Sequence, residues 1–298
     1  MSADGQGVSP PAAKWTDLGV RALSAVFLIP AVLLDIWLGG LWFELFAAFL
    51  GILMAHEWTV IAHGRSTSQF ALHALAALCA AFLPKEIGPL LSLAVILAIT
   101  AVSFAGVAFG PRAKSRWCFV GVPYVGLPVL ALVVLRHDPA WGLHAIIWIM
   151  LTVWAADSLA YFAGRIIGGP KLAPRISPKK TWAGMGGAMV GAAIASAIYA
   201  SIYLPSVLPL VVLAAFLAVV EQGGDIFESA FKRFHGVKDS GHLIPGHGGV
   251  IDRVDGLIAV TVAAAIIGFF RFSQSAAQGL LVWYPSCRNI DAKPMLCG

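Results

Sequence analysis

Residues 207–256, VLPLVVLAAFLAVVEQGGDIFESAFKRFHGVKDSGHLIPGHGGVIDRVDG, pass from an apolar run into a polar island and stop where a second apolar run begins at Leu257. Six of the chain's 15 acidic residues fall in the island (Glu221, Asp225, Glu228, Asp239, Asp252 and Asp255), together with Lys232, Arg233, Lys238, Arg253 and three histidines. If the preceding helix continues through Asp225 to Arg233, residues three or four apart share a face, and Asp225, Ser229, Lys232 and Arg233 line up. One carboxylate, one hydroxyl and two cations on a stripe suit a metal-bound, phosphate-bearing ligand, because hard oxygen ligands hold Mg²⁺ while Lys and Arg neutralise phosphate oxygens. The turn Pro245 to Gly249 lets backbone approach a ligand closely. Beyond it, Asp252 and Asp255 stand three apart and on a helix point the same way, so that Asp225, Asp252 and Asp255 are candidate metal ligands.

The rest of the chain is read outward from that island. Hydrophobic residues make up 59% of the 298 and charged residues only 12%, against about 25% charged in ordinary soluble domains. That composition predicts an all-α, polytopic integral membrane protein, since a helical span needs about 20 apolar residues. Nine spans are expected, near residues 22–38, 42–61, 70–83, 87–109, 119–135, 144–163, 185–204, 207–220 and 257–270. With nine, 15 of the 20 Lys and Arg fall on one side, which predicts that the N-terminus and the island face the cytoplasm. The basic residues lie beside the bilayer, where membrane lipids are the nearest anionic partners and no nucleic acid is implied. Cys79, Cys118, Cys287 and Cys297 form no CxxC pair, which leaves neither zinc nor a thiol nucleophile in the island. The spacing of His235, His242 and His247 also fits no zinc pattern.

Two further features belong with the island. Asp157 lies deep in the sixth apolar run, where a central charge costs about 2.5–3.5 kcal/mol, so a site role is expected, with Tyr161 on the same helical face. Ser177, Lys179, Lys180 and Thr181 cluster just before a helix near Trp182, an arrangement suited to phosphate. Gly164 and Gly169 have a P-loop spacing, but Pro170 stands where its lysine belongs. Gly187 and Gly191 have the spacing of closely packed membrane helices, within the chain or in a homodimer.

The order Ser229-x-x-Lys232-Arg233-x4-Lys238-Asp239-x5-Pro245-Gly246-His247-Gly248-Gly249-x2-Asp252-Arg253-x-Asp255 resembles the signature of phosphatidate cytidylyltransferases, the CDP-diacylglycerol synthases. Asp157-Ser-x-Ala-Tyr161 and Ser177-Pro-Lys-Lys-Thr-Trp182 resemble further blocks of that family, with Ala183 where its members usually carry glutamate and Gly256 where serine is common. The resemblance implies transfer of CMP from CTP to phosphatidate, Mg²⁺ as cofactor and a bacterial plasma membrane. On it, Asp225, Asp252, Asp255 and Asp157 are metal ligands. Ser229, Lys232, Arg233, Lys238, Asp239 and Arg253 join the catalytic set, and Ser177, Lys179, Lys180, Thr181 and His247 hold phosphate. Three regions are expected: a multi-span region over residues 1–140, a catalytic region over 141–272 and a tail over 273–298. A CTP-dependent polyprenol kinase, a transporter and a catalytically silent relative are the competing readings.

Overall fold

The computed structural model describes residue 26 and residues 30–108, 116–241 and 248–283. The expected N-terminal tail, Cys287, Cys297, His242 and the turn Pro245 to His247 lie outside them. Among the described residues, six helices are long and apolar enough to cross a membrane. In chain order the principal elements are α1 (Gly40–His63), α2 (Thr67–Phe82), α3 (Pro89–Ala108), α4 (Gly121–Arg136), α5 (Gly142–Ile166), β1 (Lys171–Ala173), β2 (Ser177–Thr181), α6 (Trp182–Tyr203), α7 (Leu208–Phe234), α8 (Ile251–Arg271) and α9 (Ala276–Leu281), with single helical turns at Pro84–Ile87 and Arg116–Phe119. Helices α2 and α4 are shorter apolar helices, and residues 30–38 are also helical.

The described residues are mostly helical, as expected, and two features refine that expectation. The eighth and ninth apolar runs are parts of longer helices of 27 and 21 residues. Polar residues on one face of each continue the helix beyond the point where hydropathy alone stops it. The chain is also not purely helical, because β1 and β2 pair antiparallel, with Lys171 opposite Thr181 and Ala173 opposite Ser177. Proline explains the bend: Pro174 follows Ala173, the fixed φ of proline suits the second position of a turn, and the Ile176 amide donates back to the Ala173 carbonyl at 3.2 Å.

Helix ends are set by short-range chemistry. Gly64 closes α1 in the left-handed conformation, at φ 60°. Thr181 opens α6, its hydroxyl accepting from the Gly184 amide at 3.0 Å. Helix α8 has no side-chain cap of its own on Val250.

Packing then brings distant parts of the chain together. Helices α5 and α6 meet backbone to backbone along Gly184, Gly187 and Gly191. A Cβ at Gly187 would lie 2.6 Å from the Leu159 carbonyl oxygen, and one at Gly191 would lie 2.5 Å from that of Ala155. The glycine spacing therefore serves a contact within the chain. Trp148 adds a polar tie, donating to the Ser196 hydroxyl at 2.9 Å. Gly191→Leu is expected to destabilise the bundle by about 1–3 kcal/mol through overpacking; melting in detergent checks it, and an unchanged midpoint would refute the contact. On the other side, Trp58 of α1 stacks on Phe231 of α7 with ring centroids 3.9 Å apart. That stack sits in a core with Met54, Val125 and Ile251, so the first helix described in full supports the polar half of α7.

Candidate active site

Helix α7 runs unbroken from the apolar Leu208 to Phe234, as the stripe reading expected. Glu221, Asp225, Glu228 and Lys232 recur at intervals of four, three and four, which puts them on one face. Helix α8 presents Asp252 and Asp255 from its first two turns. The two helices cross tightly at Gly224, where a Cβ would come 2.6 Å from the Ala259 Cβ and 3.1 Å from the Asp255 carbonyl oxygen. Gly256 performs the same service for Glu221, because a Cβ there would lie 2.8 Å from the Glu221 Cγ. The departure from serine at this position therefore gives the Glu221 side chain its room.

The carboxyls gather in facing pairs. Asp225 faces Asp255, Glu221 faces Asp157 of α5, and Glu228 faces Asp252. Lys232 stands among the last pair, with its ammonium 2.8 Å from Glu228 and 2.7 Å from Asp252. Lys180 reaches in from β2, donating to the Gln222 side-chain oxygen at 2.9 Å and pairing with Asp225. The two neighbouring lysines differ: Lys180 turns inward while Lys179 is exposed.

Six carboxyl groups thus face two ammonium groups. Buried oxygens of Glu221 and Glu228 have no hydrogen-bond partner, and a facing pair of carboxyls needs a shared proton or a cation between them. Among the described residues no three acidic, histidine or cysteine side chains converge as a metal site. A pair is nevertheless what Mg²⁺ uses where substrate phosphates supply the remaining oxygens.

The other expected residues are distributed as follows. Asp252 is heavily engaged. Its Oδ1 accepts from Lys232, and its Oδ2 accepts from the amides of Ser240 at 2.9 Å and Gly249 at 3.0 Å. Asp157 is exposed rather than enclosed by neighbouring helices. Tyr161 is 58% exposed and takes a hydrogen bond from Arg165 at 2.5 Å. Ser229 and Ser177 are half-buried, and Arg233, Lys238, Asp239 and Arg253 are exposed around the rim. Arg233 donates to the Val237 carbonyl at 3.4 Å. Thr181 is buried as the α6 cap. His247 lies outside the described residues, and His235 bonds through Nδ1 to the Phe231 carbonyl at 2.9 Å.

Sequence reasoning left Glu221, Glu228, Gln222 and Glu57 out of the site. The two glutamates carried a readable signal, being four before and three after Asp225 on the same face. Glu57 had none, because its partners lie 183 to 194 residues away.

The sequence profile of the cytidylyltransferase family matches residues 19–270. A phosphatidate cytidylyltransferase of Brucella abortus is 39% identical over 258 residues, covering 86% of this chain and 93% of the relative. One of Staphylococcus haemolyticus is 32% identical over 250 residues, covering 81% and 95%. Opposed carboxyls flanked by inward-facing lysines and a match over most of the length lead to one conclusion: the chain belongs to the cytidylyltransferase family.

Proposed function

We propose that the chain is a phosphatidate cytidylyltransferase, transferring CMP from CTP to phosphatidate to give CDP-diacylglycerol and pyrophosphate. Family membership supplies the reaction class, and the observation that carries the reading to particular residues is the Asp225–Asp255 carboxyl pair, with Lys180 paired to Asp225 and Lys232 to the neighbouring Asp252. A lipid phosphate oxygen attacks the α-phosphorus of CTP. A new P–O bond forms to that phosphorus, the bond bridging the α- and β-phosphates breaks, and pyrophosphate leaves with the electron pair. The attacking phosphomonoester has a second pKa of about 6, so at neutral pH it needs little help from a base. What remains for the protein is to bring two anions into line and offset their charge.

Asp225 and Asp255 would hold Mg²⁺, which when bound supplies charge neutralisation at the phosphates. Lys180 and Lys232, which pair with carboxylates of this cluster, would turn to the phosphates. The exposed Arg233, Lys238 and Arg253 would guide the triphosphate or the departing pyrophosphate. Asp252 would keep Lys232 and the island loop in place. The basic bias of the loops supports a cytoplasmic site, and the apolar runs of the sequence support nine spans.

With α-labelled CTP, the detergent-purified chain is expected to produce chloroform-soluble label only when phosphatidate and Mg²⁺ are both present, and to stop on addition of chelator. Label that stays in water, with the protein shown to be folded, overturns the reading. Transfer of γ-label to a polyprenol would install the kinase instead.

A further inference from the structure

Glu57 is 2% exposed near the end of α1, in the half of the chain that carries none of the residues assigned above. Its Oε1 accepts from the Val250 amide at 2.8 Å, and its Oε2 accepts from the Ile251 amide and the Ser240 hydroxyl, each at 2.9 Å. The two amides immediately precede Asp252 and open α8. Asp252 grips the same chain from the other side, through the amides of Ser240 and Gly249. Two carboxylates therefore fasten the segments on either side of the island loop at one point.

The local sequence is shaped around this knot. A Cβ on Gly249 would run into the Ser240 hydroxyl and come 2.8 Å from the Glu57 Oε2, while one on Gly241 would come 2.7 Å from its Oε1. Glu57 supplies the cap that α8 lacks on its own N-terminal residue. The start of a helix fixes the direction of every later side chain, since a slip of one residue turns the set by about 100°. Such a slip would carry Asp255 away from Asp225.

We propose that Glu57 is a positioning residue for the transfer reaction: it sets where α8 begins and so holds Asp252 against Lys232 and Asp255 against Asp225. The proposal rests on the function given above. Glu57→Gln tests it in the full-length purified chain, because the amide keeps the shape but turns an NH₂ group toward donors. Hydrogen exchange at amides 248–251 is expected to quicken at least ~10-fold while amides of α6 exchange as in the wild type. The kcat for CMP transfer is expected to fall by ~10- to 100-fold, the range in which a small misplacement shows, with the KM for phosphatidate within about twofold. Ser240→Ala removes one of three donors and is expected to cost about threefold in kcat, with the double variant no worse than Glu57→Gln alone.

A Glu57→Gln protein with wild-type kcat overturns the proposal, as does exchange that quickens uniformly across the bundle. If Glu57→Gln does not accumulate, Ser240→Ala decides: wild-type exchange at 248–251 together with wild-type kcat overturns it. A wild-type chain that makes no CDP-lipid, yet whose Glu57→Gln form exchanges faster at 248–251 alone, refutes the assigned reaction while the anchoring of α8 stands.

Discussion

Asparagine at position 225 is expected to lower CMP transfer by ~10²- to 10³-fold, the scale on which a single charge-stabilising group acts in catalysis. The change preserves shape and removes charge. Asp225 faces Asp255 and pairs with Lys180, so the substitution takes one anionic group from the pair that would hold the cation and releases the ammonium. Stability should fall as well. The facing carboxyls share a proton or a cation, so there is no repulsion to relieve, and the substitution leaves the largely buried Lys180 ammonium without its carboxylate. Removing one partner of such a pair is destabilising, so the Asp225→Asn protein should melt below the wild-type temperature. Initial rates with labelled CTP and detergent melting curves provide the check. A residual rate above a tenth of wild type would remove Asp225 from the centre of the reaction.

Asp252→Asn is expected to be as damaging to rate, at least ~100-fold, and to lose stability for a different reason. Each carboxylate oxygen of Asp252 is engaged by donors, Lys232 on one and the amides of Ser240 and Gly249 on the other. An asparagine must turn its NH₂ toward one of these groups, setting donor against donor. Leaving a buried hydrogen-bonding group without its partner costs about 1–3 kcal/mol, so this variant should melt below wild type while still inserting and expressing near normally. A loss of rate with no loss of stability would return Asp252 to the role of metal ligand that its sequence position first suggested. More than a tenth of wild-type turnover would exclude both roles.

The contrast between the two aspartates marks where the sequence was legible. The continuation of the apolar helix through Asp225 to Lys232 could be read from spacing, because a helical face is a local property with a fixed period. The same period placed Asp252 and Asp255 together. What spacing could not supply was which carboxylate meets which partner across helices. Asp255, not Asp252, pairs with Asp225, a consequence of the close crossing at Gly224. The hairpin escaped notice because Ser177-Pro-Lys-Lys-Thr181 has none of the apolar alternation that announces a strand; its pairing is fixed by the turn at Pro174. Asp157 was expected in the site because a charge deep in an apolar run is costly; it is exposed on α5 and faces Glu221, a partner that spacing could not name. Departures from the family pattern divide in the same way: Gly256 has a packing reason in Glu221, and nothing in the structure explains Ala183.

The long reach of Glu57 bears on how such a protein is made. Chains emerge N-terminus first and earlier segments settle before later ones are synthesised, so this carboxylate reaches the bilayer long before Ser240, Val250 and Ile251 exist to receive it. Its place close to the end of α1 keeps that wait inexpensive, because a charge near the membrane surface can stay in contact with water. The anchor is therefore in position before the helix it fixes. The last long span does not find its depth by hydrophobicity alone, since its first turn docks onto a group laid down at the start of assembly.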